Sequence, residues 1–360
     1  MKIYTKKNVG YIPRVSHWLK DRKGFYTMER NERVDEFKDK YIKKIFKNIS
    51  SFDLRTYPEN NYVYDKLAKW LKIKKENLLI TEGADGGLLR IFNVFADNKD
   101  KIVALEPSYA MYPLYCKMFK SKYIPLKISQ EVASDYFNIL IRFIRKNKPK
   151  ILAIANPNQP VEVMLKKNEL ERLCKISRKL NILLVVDEAY YHFNNITAID
   201  LIKKYENLIV VRTFSKAFGL AGLRIGYCIS NRKIIDFLKS IKPIYEINSV
   251  SSKILISFLS NIKIMKRYVY EVDKSKIYLK NFLKKYNIEM LGKYSNTVAL
   301  PFSNSQFAKK VVDELYQRKF VVRLMKDSFG NTFIRCTIGS LKITKKFTKE
   351  LKKIFKRILK

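Results

Sequence analysis

The middle of the chain alternates short apolar runs with longer amphipathic stretches. The apolar runs are KIVALEP (101–107), KSKYIPL (120–126), KILAIANP (150–157), ILLVVDE (182–188), LIVVRTFSK (208–216) and RIGYCIS (224–230). Runs that are apolar at nearly every position are typical of strands buried on both faces of a mostly parallel sheet. Between them, segments such as 166–180 repeat apolar residues at three- and four-residue steps, which predicts helices. Strands that alternate with helices predict a doubly wound α/β fold.

The last third of the chain follows a different pattern. Residues 231–285 are predicted to be mainly helical, and short strands (NTVALPF, FVVRL, TFIRCTI) precede a basic amphipathic closing helix. This mixture predicts a smaller α+β domain, and we expect the closing helix to pack on it rather than bind a membrane. The expected division is a large domain over residues 40–245 and a small domain built from residues 1–39 and 246–360.

Composition excludes several classes of site. The 360 residues are 47% hydrophobic, and no uncharged apolar stretch reaches the roughly 18 residues of a membrane span. The first residues lack the apolar region of a signal peptide, so we expect a cytoplasmic protein. The four cysteines (Cys116, Cys174, Cys228, Cys336) lie far apart and the chain has only two histidines. We expect buried thiols, with no metal site, disulfide framework or histidine-centred hydrolase.

The net charge of +40 raises the question of a polyanionic partner. Lysine far outnumbers arginine and is spread over the entire chain, and isoleucine, asparagine and tyrosine are abundant. We interpret this pattern as A+T-rich coding bias and expect no nucleic acid and no membrane as partner. The alternative, a polyanion partner, predicts that immobilised heparin or DNA would release the protein only at high salt.

Polar residues follow three of the predicted strands at their carboxyl ends, where ligands of open α/β sheets bind. Residues 156–160 (NPNQP) follow one strand, Asp187 and Tyr190 the next, and Ser215 and Lys216 the third. Such a convergence predicts a cofactor pocket. A lysine can bond covalently to an aldehyde cofactor, and a carboxylate such as Asp187 can keep a pyridine nitrogen protonated.

A phosphate group on that cofactor would need backbone N–H donors at a helix start, a hydroxyl and an arginine. The glycine-rich segment 81–87 opens the predicted helix LLRIFNVF and offers the helix start. Ser215 and Arg224 could supply the hydroxyl and the charge.

Residues 212–227 (RTFSKAFGLAGLRIGY) closely resemble the pyridoxal-phosphate lysine segment of the histidinol-phosphate aminotransferases, a branch of the fold-type-I aminotransferase superfamily. Further segments occur in the family's order: YPENNYVYDKLAKWL (57–71), TEGADG (81–86), EPSYAMY (106–112), DEAYYHF (187–193) and FIRCTIG (333–339). The resemblance covers about residues 50–340. It implies the fold of PLP-dependent transferases of type I, pyridoxal 5'-phosphate as cofactor, and a homodimer with shared active sites.

The resemblance also implies a role for each matching residue. Lys216 would bond to the cofactor and move the substrate proton, Asp187 would pair with the pyridine nitrogen, and Tyr190 would bind the ring hydroxyl. The other cofactor contacts would be Tyr109, stacked on the ring; Gly83, Ala84, Asp85, Ser215 and Arg224, around the phosphate; and Tyr57, reaching the phosphate from the partner subunit. Arg335 would bind the substrate carboxylate and Arg323 a substrate phosphate.

Two segments depart from the family pattern. The family's NPNNPTG is NPNQPVE here (156–162), so the amide that normally donates to the ring hydroxyl aligns with Gln159. Gln159 could still serve, or Asn158 could take over. The N-terminal segment lacks the family's Asn-Glu-Asn-Pro-like element, which helps to form the substrate pocket. This departure predicts a native substrate other than histidinol phosphate.

Three functions compete. The favoured one is an aminotransferase that takes an amino group from a donor such as glutamate and passes it to a small carbonyl acceptor, phosphorylated or not. The alternative is a decarboxylase of an O-phospho-amino acid, of the phosphoserine or threonine-phosphate type. A third, a non-catalytic binding protein that kept the fold, is disfavoured by the presence of both Lys216 and Asp187.

Overall fold

A computed structural model describes residues 22–129 and 133–358. Its strands are β1 (Tyr26–Thr27), β2 (Leu78–Thr81), β3 (Lys101–Glu106), β4 (Lys122–Lys127), β5 (Ile151–Ala155), β6 (Leu183–Asp187), β7 (Leu208–Thr213), β8 (Gly226–Ile229), β9 (Thr297–Phe302), β10 (Phe320–Val321), β11 (Arg323–Lys326) and β12 (Thr332–Thr337).

The α-helices are α1 (Asp39–Phe46), α2 (Ser51–Arg55), α3 (Asn61–Leu71), α4 (Gly83–Phe95), α5 (Met111–Met118), α6 (Tyr136–Asn147), α7 (Lys167–Lys179), α8 (Arg232–Lys239), α9 (Ser249–Ser260), α10 (Lys263–Lys284), α11 (Ser305–Gln317) and α12 (Leu341–Ile358). Short 3-10 helices occur at Lys75–Asn77, Ala133–Asp135, Tyr191–Phe193, Ile199–Leu201 and Ala221–Leu223.

The main sheet has seven strands in the order β2-β8-β7-β6-β5-β3-β4. The five strands from β7 to β4 run parallel to one another, whereas β8 is antiparallel to both β7 and β2. The predicted doubly wound, mostly parallel α/β sheet is confirmed. All six predicted strands are present in it, and the predicted helix at 166–180 is α7.

Side-chain alternation along the buried strands forms a hydrophobic core on each face of this sheet. In β5, every residue is buried; Leu152 and Ile154 belong to one core, and Ile151 and Ala153 belong to the other. Successive side chains of a strand point to opposite faces, so a strand covered on both faces is apolar throughout. Both cores therefore hold the sheet rigidly, and its carboxyl edge becomes a fixed support for functional side chains.

The C-terminal part of the chain forms a second sheet of three antiparallel strands, in the order β11-β12-β9. The predicted helical stretch 231–285 contains α8, α9 and α10, and α12 is the predicted closing helix, which packs against α10 and α11. Near the N-terminus, β1 pairs in parallel with β10.

The seven-stranded sheet lies within the predicted large domain and the three-stranded sheet within the predicted small one. The division itself stays a prediction, and part of its 1–39 segment lies outside the described residues. All four cysteines are buried free thiols, as expected. None of the helices in the described ranges is both long and apolar enough to cross a membrane.

Candidate active site

The carboxyl ends of β6 and β7 bring the predicted cofactor residues to one edge of the main sheet. Asp187 is the last residue of β6 and pairs in register with Val211 of β7. β7 ends at Thr213, and the chain turns there to deliver Ser215 and Lys216. The Thr213 hydroxyl fixes this turn, since its oxygen accepts a hydrogen bond from the Ser215 backbone N–H at 3.1 Å.

Asp187 is a buried carboxylate with few partners. Its Oδ1 accepts the Ala189 backbone N–H at 3.0 Å and its Oδ2 accepts the Tyr112 hydroxyl at 3.4 Å. Burial raises the pKa of Asp187 to about 6, because a charged carboxylate loses its hydration there. A cationic ring nitrogen would offset this loss, so the site suits a protonated pyridine.

Lys216 lies in the same pocket. Its Nζ donates to the backbone carbonyl of Arg30 at 3.3 Å and lies 5.9 Å from the centroid of the Tyr190 ring. Burial lowers the pKa of Lys216 to about 8, since the ammonium form is poorly hydrated there. A substantial neutral fraction at physiological pH is what a lysine needs to attack an aldehyde.

The residues predicted to hold a phosphate converge at the start of α4. Gly83 has φ +74°, and a Cβ at this position would lie 2.7 Å from Nη2 of Arg224, so glycine lets the guanidinium approach the helix N-terminus. Nη1 of Arg224 lies 3.5 Å from Oγ of Ser215. Ala84 and Asp85 occupy the first turn of the helix, whose free N–H groups favour an anion. The Asp85 carboxylate itself accepts from the Tyr115 hydroxyl.

Tyr109 lies near the Asp187 end of the pocket. Its ring packs edge-on against Tyr112 with centroids 5.8 Å apart, and the Tyr112 hydroxyl is the one that donates to Asp187. The Tyr109 side chain is 39% exposed, so its predicted stacking on the cofactor ring would cover an open aromatic face. That role stays a prediction.

The amide of Gln159 is bound by two neighbouring side chains. Its Nε2 donates at 2.9 Å both to Oε1 of Glu162 and to Oγ of Ser295, so both amide hydrogens have partners. Glu162, which stands where the family has glycine, also accepts the backbone N–H groups of Lys293 and Tyr294. The predicted donation by Gln159 to a ring hydroxyl is therefore not made in this arrangement.

Asn158, the other candidate for that role, is also committed. Its Nδ2 donates to the carbonyl oxygens of Pro107 at 2.9 Å and Val161 at 2.8 Å. Only Oδ1 remains, and it is buried without a partner among the described residues. Neither amide is placed to donate, which leaves the Tyr190 hydroxyl as the predicted donor to the ring oxygen.

The two predicted substrate arginines are adjacent. Arg323 of β11 pairs in register with Arg335 of β12. Arg335 is partly buried, its Nη2 donates to the Glu29 carbonyl at 2.5 Å, and its Nε has no partner among the described residues. Burial and the charge of Arg323 lower the pKa of Arg335. Two cations held together in this way favour an anionic substrate.

Residues 29–31 form a strap along the pocket. No motif in the sequence indicated this strap. Three predicted site residues are bound by this strap: Arg335 by the Glu29 carbonyl, Lys216 by the Arg30 carbonyl and Tyr190 by the Asn31 side chain. The signal that could have found it is weak, because the strap acts mainly through backbone carbonyls, which any residue carries.

Tyr57 lies apart from this group. It is 76% exposed and stacks on Tyr245 with ring centroids 4.6 Å apart and planes at 5°. Its contact with the partner subunit's site stays a prediction. Within the described ranges, no cluster of three His, Cys, Asp or Glu side chains could hold a metal.

Comparison with known proteins identifies the family. The family model "Aminotransferase class I and II" matches residues 25–354. The chain belongs to this aminotransferase family. It is 32% identical over 300 residues to a histidinol-phosphate aminotransferase of Thermoanaerobacter sp. (strain X514), covering 83% of this chain and 84% of that one. It is 29% identical over 325 residues to the Methanocaldococcus jannaschii enzyme of that name, covering 88% and 85%.

Solved structures of similar fold include the Sinorhizobium meliloti histidinol-phosphate aminotransferase in complex with pyridoxal-5'-phosphate. Its TM-score is 0.82 at 21% identity, and the match covers 92% of this aminotransferase and 91% of that chain. The L-threonine-O-3-phosphate decarboxylase of Porphyromonas gingivalis gives a TM-score of 0.75 at 19% identity, over 92% and 99%. The predicted family, fold, enzyme class and pyridoxal-phosphate cofactor are confirmed.

The residues of this aminotransferase fit that cofactor. A buried amine at Lys216 and a buried carboxylate at Asp187 suit its aldehyde and its ring nitrogen. Gly83 leaves room for Arg224 at the start of α4, where a phosphate is favoured.

Proposed function

We propose that this aminotransferase moves an amino group from an amino-acid donor such as glutamate to a small carbonyl acceptor. The acceptor would carry a carboxylate and a second anionic group. The observation that supports the acceptor class is the register pair Arg323 and Arg335, because the charge of Arg335 acts on Lys216 and Arg323 is its neighbour on the next strand. One guanidinium can bind a carboxylate, and a second favours a phosphate or another acid.

Pyridoxal phosphate, when bound, supplies a ring that withdraws electrons from the bonds of the substrate α-carbon. The protein would control that chemistry through three groups. The Asp187 carboxylate would hold a proton on the ring nitrogen, and Nζ of Lys216 would take and return the proton of the α-carbon. The Tyr190 hydroxyl would donate to the ring oxygen. Which α-carbon bond breaks depends on how Arg335 orients the substrate carboxylate.

The experiments that test this function are absorbance spectra of the purified holoenzyme before and after each candidate ligand, together with an assay for carbon dioxide. L-glutamate should bleach the visible band of the bound cofactor, and a keto acid should restore it. Release of carbon dioxide from O-phospho-L-serine, with no response to glutamate, would instead establish the decarboxylase alternative. Bleaching by histidinol phosphate as readily as by glutamate would contradict the expectation of a different native substrate.

The same titration tests the role of Arg335 through the Arg335→Lys variant. Lysine keeps the charge and loses the bidentate geometry, so we expect the glutamate concentration for half-bleaching to rise at least about tenfold, equivalent to one charged hydrogen bond. Arg318→Lys is a matched control, since Arg318 forms its ion pairs with Glu314 and Glu350, away from the pocket. An unchanged half-bleaching concentration in Arg335→Lys would remove Arg335 from the site.

We also propose a cytoplasmic homodimer in which Tyr57 completes the partner subunit's site. The support is a group of large, exposed apolar side chains that lie near Tyr57, or next to its stacking partner Tyr245, in the sequence. Its members are Phe52 (60% exposed), Leu54 (72%), Tyr62 (62%) and Ile244 (80%).

Light scattering should give a mass near twice 42.6 kDa, and Leu54→Glu should reduce it to that of one chain. If the sites are shared, inactive Lys216→Ala chains and weakened Tyr57→Ala chains should recover activity when they are mixed and allowed to form new dimers. One of the two sites in a mixed dimer then contains both Lys216 and Tyr57. A monomeric wild type, or mixed chains with no recovery, would contradict the shared site.

A further inference from the structure

We propose that Asn31 is a positioning residue that makes Tyr190 a stronger hydrogen-bond donor to the ring oxygen of the cofactor. Nδ2 of Asn31 donates to the Tyr190 hydroxyl oxygen at 2.6 Å, and both side chains are buried. The inference rests on the proposed role of Tyr190 and adds to it a residue that lies 159 positions away in sequence.

Asn31 is held firmly in place. Its backbone N–H donates to Oγ1 of Thr337 at 3.0 Å, and its carbonyl accepts from Nδ2 of Asn296 at 3.3 Å. Its φ of 59° lies in the left-handed region, which asparagine tolerates better than most residues. The Asn31 side chain is only 8% exposed, so it is built into the pocket wall and has little freedom to turn towards water.

The direction of this hydrogen bond decides what it does. A tyrosine has one hydrogen to donate, and accepting from Asn31 leaves that hydrogen available for the cofactor. Hydrogen bonds in a chain polarise one another, so a donor on the phenol oxygen strengthens the phenol O–H as a donor. Because the Gln159 and Asn158 amides donate elsewhere, the family's amide donor is not available here, and Asn31 reaches the same ring oxygen through Tyr190.

The consequence is a change in acidity at the nitrogen that Lys216 contributes to the bound cofactor. A negative charge on the ring oxygen would help that nitrogen to keep its proton, and a donor to the ring oxygen would weaken this help by stabilising the charge itself. A strong Tyr190 donor therefore lowers the pH at which the nitrogen loses its proton. Removal of the Asn31 amide should raise this pH.

Other charged residues also act on Tyr190 and Lys216, and they are the same in the wild type and in the Asn31 variants. Arg335 favours the ionised form of Tyr190, whereas Asp187 and Glu162 oppose it. Around Lys216, Glu32 and Asp187 favour the ammonium form, whereas Arg335 and Arg224 oppose it. None of these residues is changed in the variants below, so a difference between them reports on Asn31.

The test is an absorbance-monitored pH titration of the holoenzyme. Asn31→Gly removes the amide and tolerates the left-handed backbone, and we expect its midpoint to rise by about 0.5 to 1 pH unit, the equivalent of one hydrogen bond. Asn31→Asp keeps the size of the side chain but presents an acceptor, which should raise the midpoint at least as far. Asn181→Gly is a matched control, because Asn181 has φ 55° in an exposed turn outside the pocket.

The same Asn31→Gly change in a Tyr190→Phe background separates positioning from a general structural effect. We expect no further shift there, since the hydroxyl that Asn31 acts on is gone, whereas a structural effect would shift both backgrounds. An unchanged midpoint in Asn31→Gly would overturn the proposal, and so would a lowered one, which would mean that the amide oxygen accepts the Tyr190 hydrogen. A wild type with no visible cofactor band at any pH would refute the proposed function itself, independently of Asn31.

Discussion

Replacement of Lys216 by alanine is expected to abolish the visible band of the bound cofactor and to lower turnover by at least about 10³-fold. General acid–base catalysis alone contributes roughly 10²–10⁴-fold, and Lys216 is also the proposed covalent attachment point. Single-turnover release of keto acid from glutamate would measure the loss, because this readout does not depend on the visible band. Borohydride treatment followed by peptide mass analysis should place the reduced cofactor on Lys216 in the wild type and nowhere in the variant.

Lys175→Ala is the matched control, since Lys175 is an exposed lysine of α7 on the outside of the main sheet. It should keep the band, the labelled peptide and the turnover. A Lys216→Ala protein with undiminished turnover would remove Lys216 from the chemistry.

The sequence predicted the main sheet and most of the pocket because both depend on local patterns. A strand such as β5 has two buried faces and is apolar at every position, which distinguishes it from its surroundings. Asp187, Ser215 and Lys216 lie directly at the ends of such strands, so topology alone gathers them at one edge. The short strand β2 was missed, because its four residues (LLIT) run directly into the glycine-rich start of α4.

The roles of the strap and of Gln159 could not be predicted, because long-range contacts decide them. The contact of Asn31 with Tyr190 is accompanied by the pairing of β1 with β10 and by the hydrogen bond from Asn31 to Thr337 of β12, all between residues far apart in sequence. The Gln159 amide donates to Glu162 and Ser295 rather than to a cofactor, and Ser295 lies 136 residues away in sequence. A motif shows which residue types are present and does not show which partner each one binds.

The Asp187→Asn variant is expected to lose turnover and gain stability. Asparagine cannot balance a protonated ring nitrogen, and we expect turnover to fall by about 10² to 10³-fold, as when one well-placed electrostatic group is removed from an active site. In the cofactor-free protein the same change should stabilise the fold at neutral pH, because it removes a carboxylate whose charge is poorly compensated. The Ala189 N–H can keep its partner, since the asparagine side chain still offers an oxygen.

The sign of the pH dependence follows from the Asp187 pKa. Its value is about 6 in the folded protein and 3.8 in an unfolded chain, so the folded state holds this proton more tightly. The cofactor-free wild type therefore loses stability as pH rises from about 4 to 6, by at most about 3 kcal/mol. Asp187→Asn should remove this loss, and its gain over the wild type should be largest above pH 7 and should shrink towards pH 4.

Urea unfolding of both cofactor-free proteins at pH 7.5 and pH 4.5 measures this difference directly. A second carboxylate variant, Asp200→Asn, serves as control, because Asp200 lies at the surface in an ion pair with Lys167 and should give nearly the same small effect at both pH values. If Asp187→Asn is no more stable than the wild type at pH 7.5, the carboxylate must be well compensated without the cofactor. Burial would then not be what prepares Asp187 for a cationic ring, even if the variant loses turnover.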